Sequence, residues 1–352
     1  MSLYNPPRPP YNVTVKVLVS TLKQRVATDR NHRIRSVRTS LNAHSLLTTL
    51  VRQRYLLILV LPAVVWMIVF NYIPMLGLVI SFKEYDLFLG PIKGFTKSPW
   101  VGLKHFQEAF TDKYFLRALW NTILYSLLKL LVGFPAPIIF AILLNEVQNL
   151  GFKKVVQTVS YLPHFISWVF VSGFLYVVLA VDDGIVNKIL LQLGIVQKPL
   201  LFLASEKYVP SIVVASHVWK SFGWNSIIYI AAIIGVDPTL YEAAAVDGAN
   251  RWTRIWHITL PCIKPTIIVL LIFTVASLIS ANFEFFEQMY LLSNAIIQDA
   301  TEIIDTYTYR MGIQLTRYSY AAAVGMFRSV AAVILLVIAN SASRRLTGHS
   351  LY

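Results

Sequence analysis

The segment YEAAAVDGANRWTRIWHITLP, residues 241–261, lies between two of the most apolar runs of the chain, yet it holds Glu242, Asp247, Arg251, Arg254 and His257. So many ionisable groups are costly in hydrocarbon, so the segment belongs at an aqueous face and the runs beside it in a membrane. Its pattern predicts a helical hairpin. Asp237 can cap a helix whose first residue is Pro238. Ala243, Ala244, Ala245 and Ala249 leave a surface with little bulk. Gly248 can turn the chain in a left-handed conformation. A second helix follows, with Trp252, Ile255, Trp256 and Thr259 on one face, and Pro261 is expected to end it. Such a hairpin suits a cleft on a partner; a loop packed on its own bundle is the alternative.

Only 14% of the 352 residues are charged and 56% are hydrophobic. A soluble domain carries about a quarter charged residues. Apolar runs long enough to cross about 30 Å of hydrocarbon recur, whereas a β-barrel would alternate in short segments. The expected fold is an all-α integral membrane protein with six transmembrane helices, near 55–82, 116–144, 155–181, 209–236, 265–292 and 320–339. Pro62, Pro74, Pro135, Pro137 and Pro163 fall inside these runs. Neighbouring helices are expected to satisfy the carbonyls they free.

Lys and Arg set the orientation. Residues 1–54 hold ten of them against one acid, Asp29. Lys153 and Lys154, then Arg251, Arg254 and Lys264, then Arg344 and Arg345 mark the other basic connections. Both termini and the 237–264 segment are therefore expected on the cytoplasmic side. The net charge of +14 follows this asymmetry, so it argues for a membrane, with the tail solvated or against anionic lipid, and against a nucleic-acid partner. Opposite connections mix signs. One, 83–115, is rich in Gly and Pro and predicts an irregular folded cap. Another contains GIVNKILLQLGI, residues 184–195, an amphipathic helix. The lone Cys262 allows no intrachain disulfide and is expected as a small apolar filler. The first apolar run begins too late for a cleaved signal peptide.

Polar groups inside spans often mark function. Lys220, Trp224, Asn225 and Tyr229 fall in the fourth run, Asn282, Phe283, Glu284 and Glu287 in the fifth, and Arg328 in the sixth. Aromatic faces with hydrogen-bonding groups suit a sugar, and Lys220 with Arg328 would favour an acidic one. Each has a structural alternative: Lys220 and Glu287 as snorkelling residues, Glu284 and Arg328 as a helix-locking pair, His164 as packing near a kink. No metal-binding signature appears, nor a G-x-x-x-x-G-K-[ST] loop, an HExxH or a G-x-S-x-G. An ion-coupled secondary sugar carrier using Glu284 remains the competing class, although no internal repeat supports it.

Glu242, Ala243, Ala244, Gly248, Ile258, Leu260 and Pro261 follow a pattern that resembles the EAA loop of permease subunits in binding-protein-dependent ABC importers. Asp247 and Ala249 resemble the sugar-importing branch; Ile255 stands where that branch often has Phe. SPWVGLKHF (98–106), YLPHFISW (161–168), FGWNSIIY (222–229) and IIDTYTYRMGI (303–313) extend the resemblance to polysaccharide and oligosaccharide permeases of the maltose-transporter type. The resemblance implies a type I permease fold over 55–345, flanked by a basic tail over 1–54 and a short tail over 346–352. It implies a multi-pass subunit of the bacterial cytoplasmic (inner) membrane, paired with a second homologous permease. Two ATPase subunits would dock on the two coupling loops and use ATP and Mg, with no cofactor bound by this chain. Glu242 would reach basic residues in an ATPase groove. An extracellular or periplasmic solute-binding protein would deliver the sugar.

Overall fold

The computed structural model describes residues 53–347; residues 1–52 of the basic tail expected over 1–54, and residues 348–352, lie outside the described residues. Among the described residues every named element is helical, and the only sheet-like pairing is one antiparallel bridge between Lys83 and Trp100. Four helices are long and apolar enough to cross a membrane, or up to six if each of two bent helix pairs is one span.

Two compact units divide the chain after Leu76. The first holds α1 (Arg54–Met67), a widened turn at Ile68–Tyr72 and the short helix Ile73–Leu76. The second holds α2 (Lys104–Thr111), α3 (Lys113–Leu128), α4 (Pro135–Asn145), α5 (Leu150–Tyr161) and α6 (Trp168–Val178). It continues with α7 (Ile185–Gln192), α8 (Val209–Ile234), α9 (Pro238–Val246), α10 (Arg251–Arg254) and α11 (Leu260–Ala276). It closes with α12 (Phe283–Leu292), α13 (Ile304–Tyr309) and α14 (Tyr318–Thr347).

Three of the prolines are accommodated within their own helices. Widened, π-type turns at Ile68–Tyr72, Lys129–Gly133 and Ile255–Thr259 each end two residues before a proline, namely Pro74, Pro135 and Pro261. A proline ring collides with the carbonyl four residues back, and a wider turn moves that carbonyl aside. Pro261 therefore does not end the hairpin's second helix. The helix runs on from Arg251 to Ala276, so the fifth span begins and ends earlier than 265–292, and residues 277–282 separate it from α12.

The expected third span is also corrected. Leu150–Phe165 and Trp168–Val178 meet at 100°. Pro163 cannot donate to a helix ladder, and Ile166 and Ser167 are extended at the bend. Helix α8 passes so close to this bend that a Cβ on Gly223 would lie 2.0 Å from the Ser160 carbonyl oxygen. Within the bundle α8 packs on α4, α11 on α14, and α6 on α12. One buried cluster joins Ala141, Tyr229, Ile233, Val236 and Ile263, with Tyr241 and Ile258 against it. This cluster seats the hairpin.

The cap expected over 83–115 is folded, and the following helix begins already at Lys113. Buried Lys83 donates to the Phe95 carbonyl at 2.7 Å, and Asp86 N–H to Ser98 Oγ at 3.0 Å. Beyond the bend, buried Asn187 of α7 holds Leu200 through both its amide oxygen and nitrogen. Cys262 is exposed and fills no core.

Candidate functional site

The 241–261 segment forms the expected hairpin, and its geometry follows from a few backbone bonds. Asp237 accepts from the Thr239 N–H at 2.9 Å and starts α9. That bond holds the Asp237 carboxyl below its ordinary range. At the other end Gly248 N–H donates to Ala245 O and Ala249 N–H to Ala244 O, with Gly248 at φ +77°. This closing pattern requires a left-handed residue, for which glycine carries no Cβ penalty. Asn250 then accepts from the Thr253 N–H at 2.8 Å and starts α10.

The hairpin presents one surface outward and anchors the other. Glu242, Ala243, Asp247, Gly248 and Pro261 are exposed, while Ala244, Ala249, Ile258 and Leu260 are half-buried. The aromatic face expected of the second helix is split. Ile255 and Thr259 are buried, whereas Trp252 and Trp256 remain 67% and 64% exposed. Val246 at the tip is 88% exposed. A small, mixed charged and apolar surface is thus held on a fixed base.

The second candidate feature is a cavity of about 260 Å³. It brings together Asn225, Tyr229, Asn282 and Glu284, four of the eight residues expected along the pathway. Phe134 and Phe285 add aromatic surface, and Thr122, Ser126, Ser277 and Ser280 add hydroxyls. Asn282 accepts from the Phe285 N–H at 3.1 Å and so caps α12 as well.

Lys220, Trp224, Phe283 and Arg328 do not line this cavity. Buried Lys220 donates to the His164 carbonyl at 2.7 Å, satisfying an acceptor in the turn before the bend; it does not snorkel. Trp224 stacks on His164, with ring centres 4.6 Å apart. Phe283 is 72% exposed and stacks on Phe286. Arg328 pairs with Asp305, not with Glu284.

Lys129, His217 and Asp305 line the cavity without having been singled out in the sequence. Lys129 was legible: it is a lone charge between leucines of an apolar run, and an intramembrane charge costs roughly 2.5–3.5 kcal/mol on insertion scales. Asp305 was not, because it lies far along the chain and reaches the cavity only through the turn into α13. A further cavity of about 460 Å³ is walled by Tyr290, Tyr309 and the Arg310–Glu302 ion pair.

A helical membrane bundle with a polar cavity and an exposed hairpin defines a permease component. The chain belongs to the family of binding-protein-dependent transport system inner membrane components, whose pattern matches residues 133–349. The polygalacturonan/rhamnogalacturonan transport system permease protein YteP of Bacillus subtilis (strain 168) is 43% identical to it, over 87% of this chain and 93% of that protein. Protein LplB of the same organism is 41% identical, over 88% and 94% respectively. A solved chain of a bacterial ABC transporter involved in the import of the acidic polysaccharide alginate matches with a TM-score of 0.78 and 40% identity, covering 86% of this chain and 99% of that one. A chain of the bacterial alginate ABC transporter in complex with an alginate pentasaccharide-bound periplasmic protein matches with the same TM-score at 39% identity. The fold is the ABC-importer permease fold, and the chain is a permease of sugar or polysaccharide transport.

Proposed function

We propose that this chain forms half of the translocation pathway of an ATP-driven importer of acidic, uronate-containing oligosaccharides or polysaccharide fragments. Both termini face the cytoplasm of a bacterial cell, and the chain lies in the cytoplasmic membrane beside a second, homologous permease. Two ATPase subunits consume ATP and Mg, and one of them docks on the hairpin. A solute-binding protein delivers the sugar from outside. Relatives named for polygalacturonan and alginate transport support the substrate class.

One observation carries the coupling role. Exposed Glu242, Asp247 and Gly248 stand on a hairpin whose base is fixed by buried Ile255 and Thr259. A partner that moves this surface moves the head of the fifth span, because the helix is continuous from Arg251 to Ala276. ATP-driven closure then biases a two-state membrane element. Family membership does not favour the ion-coupled carrier.

The test is reconstitution with the partner permease, ATPase and binding protein in proteoliposomes, with Glu242→Trp as the variant. Uptake of an oligogalacturonide should require ATP and collapse in the variant, while assembly of the membrane subunits persists. Uptake that persists without ATP and follows an ion gradient would refute the reading.

A further inference from the structure

We infer that Lys129 is the specificity-determining cation of the pathway, pairing transiently with a uronate carboxylate as an acidic sugar passes the cavity. This rests on the acidic-sugar reading above and adds the residue that enforces it.

Four observations lead there. Lys129 opens the widened turn Lys129–Gly133 inside the span Lys113–Asn145, and it lines the cavity. Its ammonium donates to Gln288 Oε1 at 2.8 Å and lies 3.5 Å from the centre of the Phe285 ring. Gln288 is itself locked, donating to Val213 O at 2.8 Å and to Ser216 Oγ at 3.0 Å. Lys129 takes part in none of the ion pairs among the described residues.

The two cations expected along the pathway lie off this wall and are committed elsewhere. Lys220 is bonded to the His164 carbonyl, and Arg328 is paired with Asp305. Lys129 is therefore the cation on the cavity wall without a carboxylate partner among the described residues. An ammonium has three donors, and Gln288 takes one. The amide oxygen and the ring face hold the cation in place without neutralising it, as an acid would. Glu284 on the same wall opposes a second carboxylate. Lys129 and Glu284, facing the same cavity and unpaired among the described residues, can thus select an anionic sugar and still release it.

The experiment uses the full complex in proteoliposomes and trigalacturonate as the probe, with Lys129→Met and Lys129→Arg. Lys129→Met should lower trigalacturonate uptake by about tenfold or more, as expected for losing a hydrogen bond to a charged group. Assembly of the complex, read by size-exclusion chromatography, should match the wild type. Lys129→Arg keeps the charge and should restore most of the uptake. Should Lys129→Met assemble poorly, Lys129→Gln takes its place. Full uptake by the Met or Gln variant overturns the inference alone, as does an Arg variant as inactive as either. A wild-type complex that imports a neutral trisaccharide but not trigalacturonate overturns the acidic-sugar reading, and the inference with it.

Discussion

The Tyr241 hydroxyl and Thr259 Oγ1 stand 3.0 Å apart, linking α9 to the widened turn that leads into the fifth span. Thr259 is buried and Tyr241 is half-buried, while Glu242, the next residue, faces outward. A force on Glu242 therefore reaches the span through one side-chain bond as well as through the chain. Ile258 and Tyr241 both pack on the cluster around Ile263, which makes the hairpin a lever seated on a core.

Removing the Tyr241 hydroxyl tests the lever. Tyr241→Phe leaves the buried Thr259 hydroxyl without this partner, at a cost of about 1–3 kcal/mol. Sugar moved per ATP hydrolysed should fall while hydrolysis continues. An unchanged ratio in proteoliposomes would mean that packing alone transmits the motion.

Gly248 is constrained by conformation, not by space. Its φ is +77°, and nothing lies within 4 Å of an added Cβ. A β-branched residue there costs about 1–2 kcal/mol in the left-handed region. Gly248→Val should sharply reduce ATP-driven uptake, whereas Gly248→Asn, which tolerates this region, should retain most of it. Equal loss in both variants would show that a partner needs the bare surface and not the turn.

The Asp237 cap carries a pH dependence. Its folded pKa is depressed by the Thr239 N–H, so the cap is fully present above the ordinary carboxylate value of about 3.9. It is lost as pH falls through the depressed folded value. Asp237→Asn offers an uncharged cap and should abolish that dependence. Hydrogen exchange at the Thr239 and Leu240 amides, compared at pH 3 and pH 6, reads the difference.

Much of this was legible before the structure. Cap residues, Gly248 and alternating apolar and charged runs act locally, so the hairpin at 237–261 and the helical membrane class follow from short-range rules. Pro163 and Pro261 show the limit. Both read as interruptions, yet Pro163 sits at a 100° bend while Pro261 rides in a continuous helix. The outcome depends on whether the preceding turn widens and on how neighbours pack, neither of which is a property of the proline. Intramembrane charges fail for a similar reason. Lys220 read as snorkelling and Arg328 as a partner of Glu284, because their actual partners, the His164 carbonyl and Asp305, lie 56 and 23 residues away.

Gly223 supplies a steric test of the bend. A Cβ there would meet the Ser160 carbonyl oxygen at 2.0 Å and its carbonyl carbon at 2.5 Å. These are backbone atoms of α5, so no rotamer change relieves the clash, and α8 and α5 must separate. Overpacking of this kind costs typically about 1–3 kcal/mol. The loss should be felt beyond the contact, because Lys220, one turn earlier on α8, bonds to the His164 carbonyl just before the bend. Gly223→Ala should therefore lower the thermal unfolding temperature of the purified permease complex in detergent. Gly173→Ala, on α6 with nothing within 4 Å of its added Cβ, should leave that temperature nearly unchanged. Equal melting temperatures for both variants would mean that the two helices can part without cost, and that the bend is held by Pro163 alone.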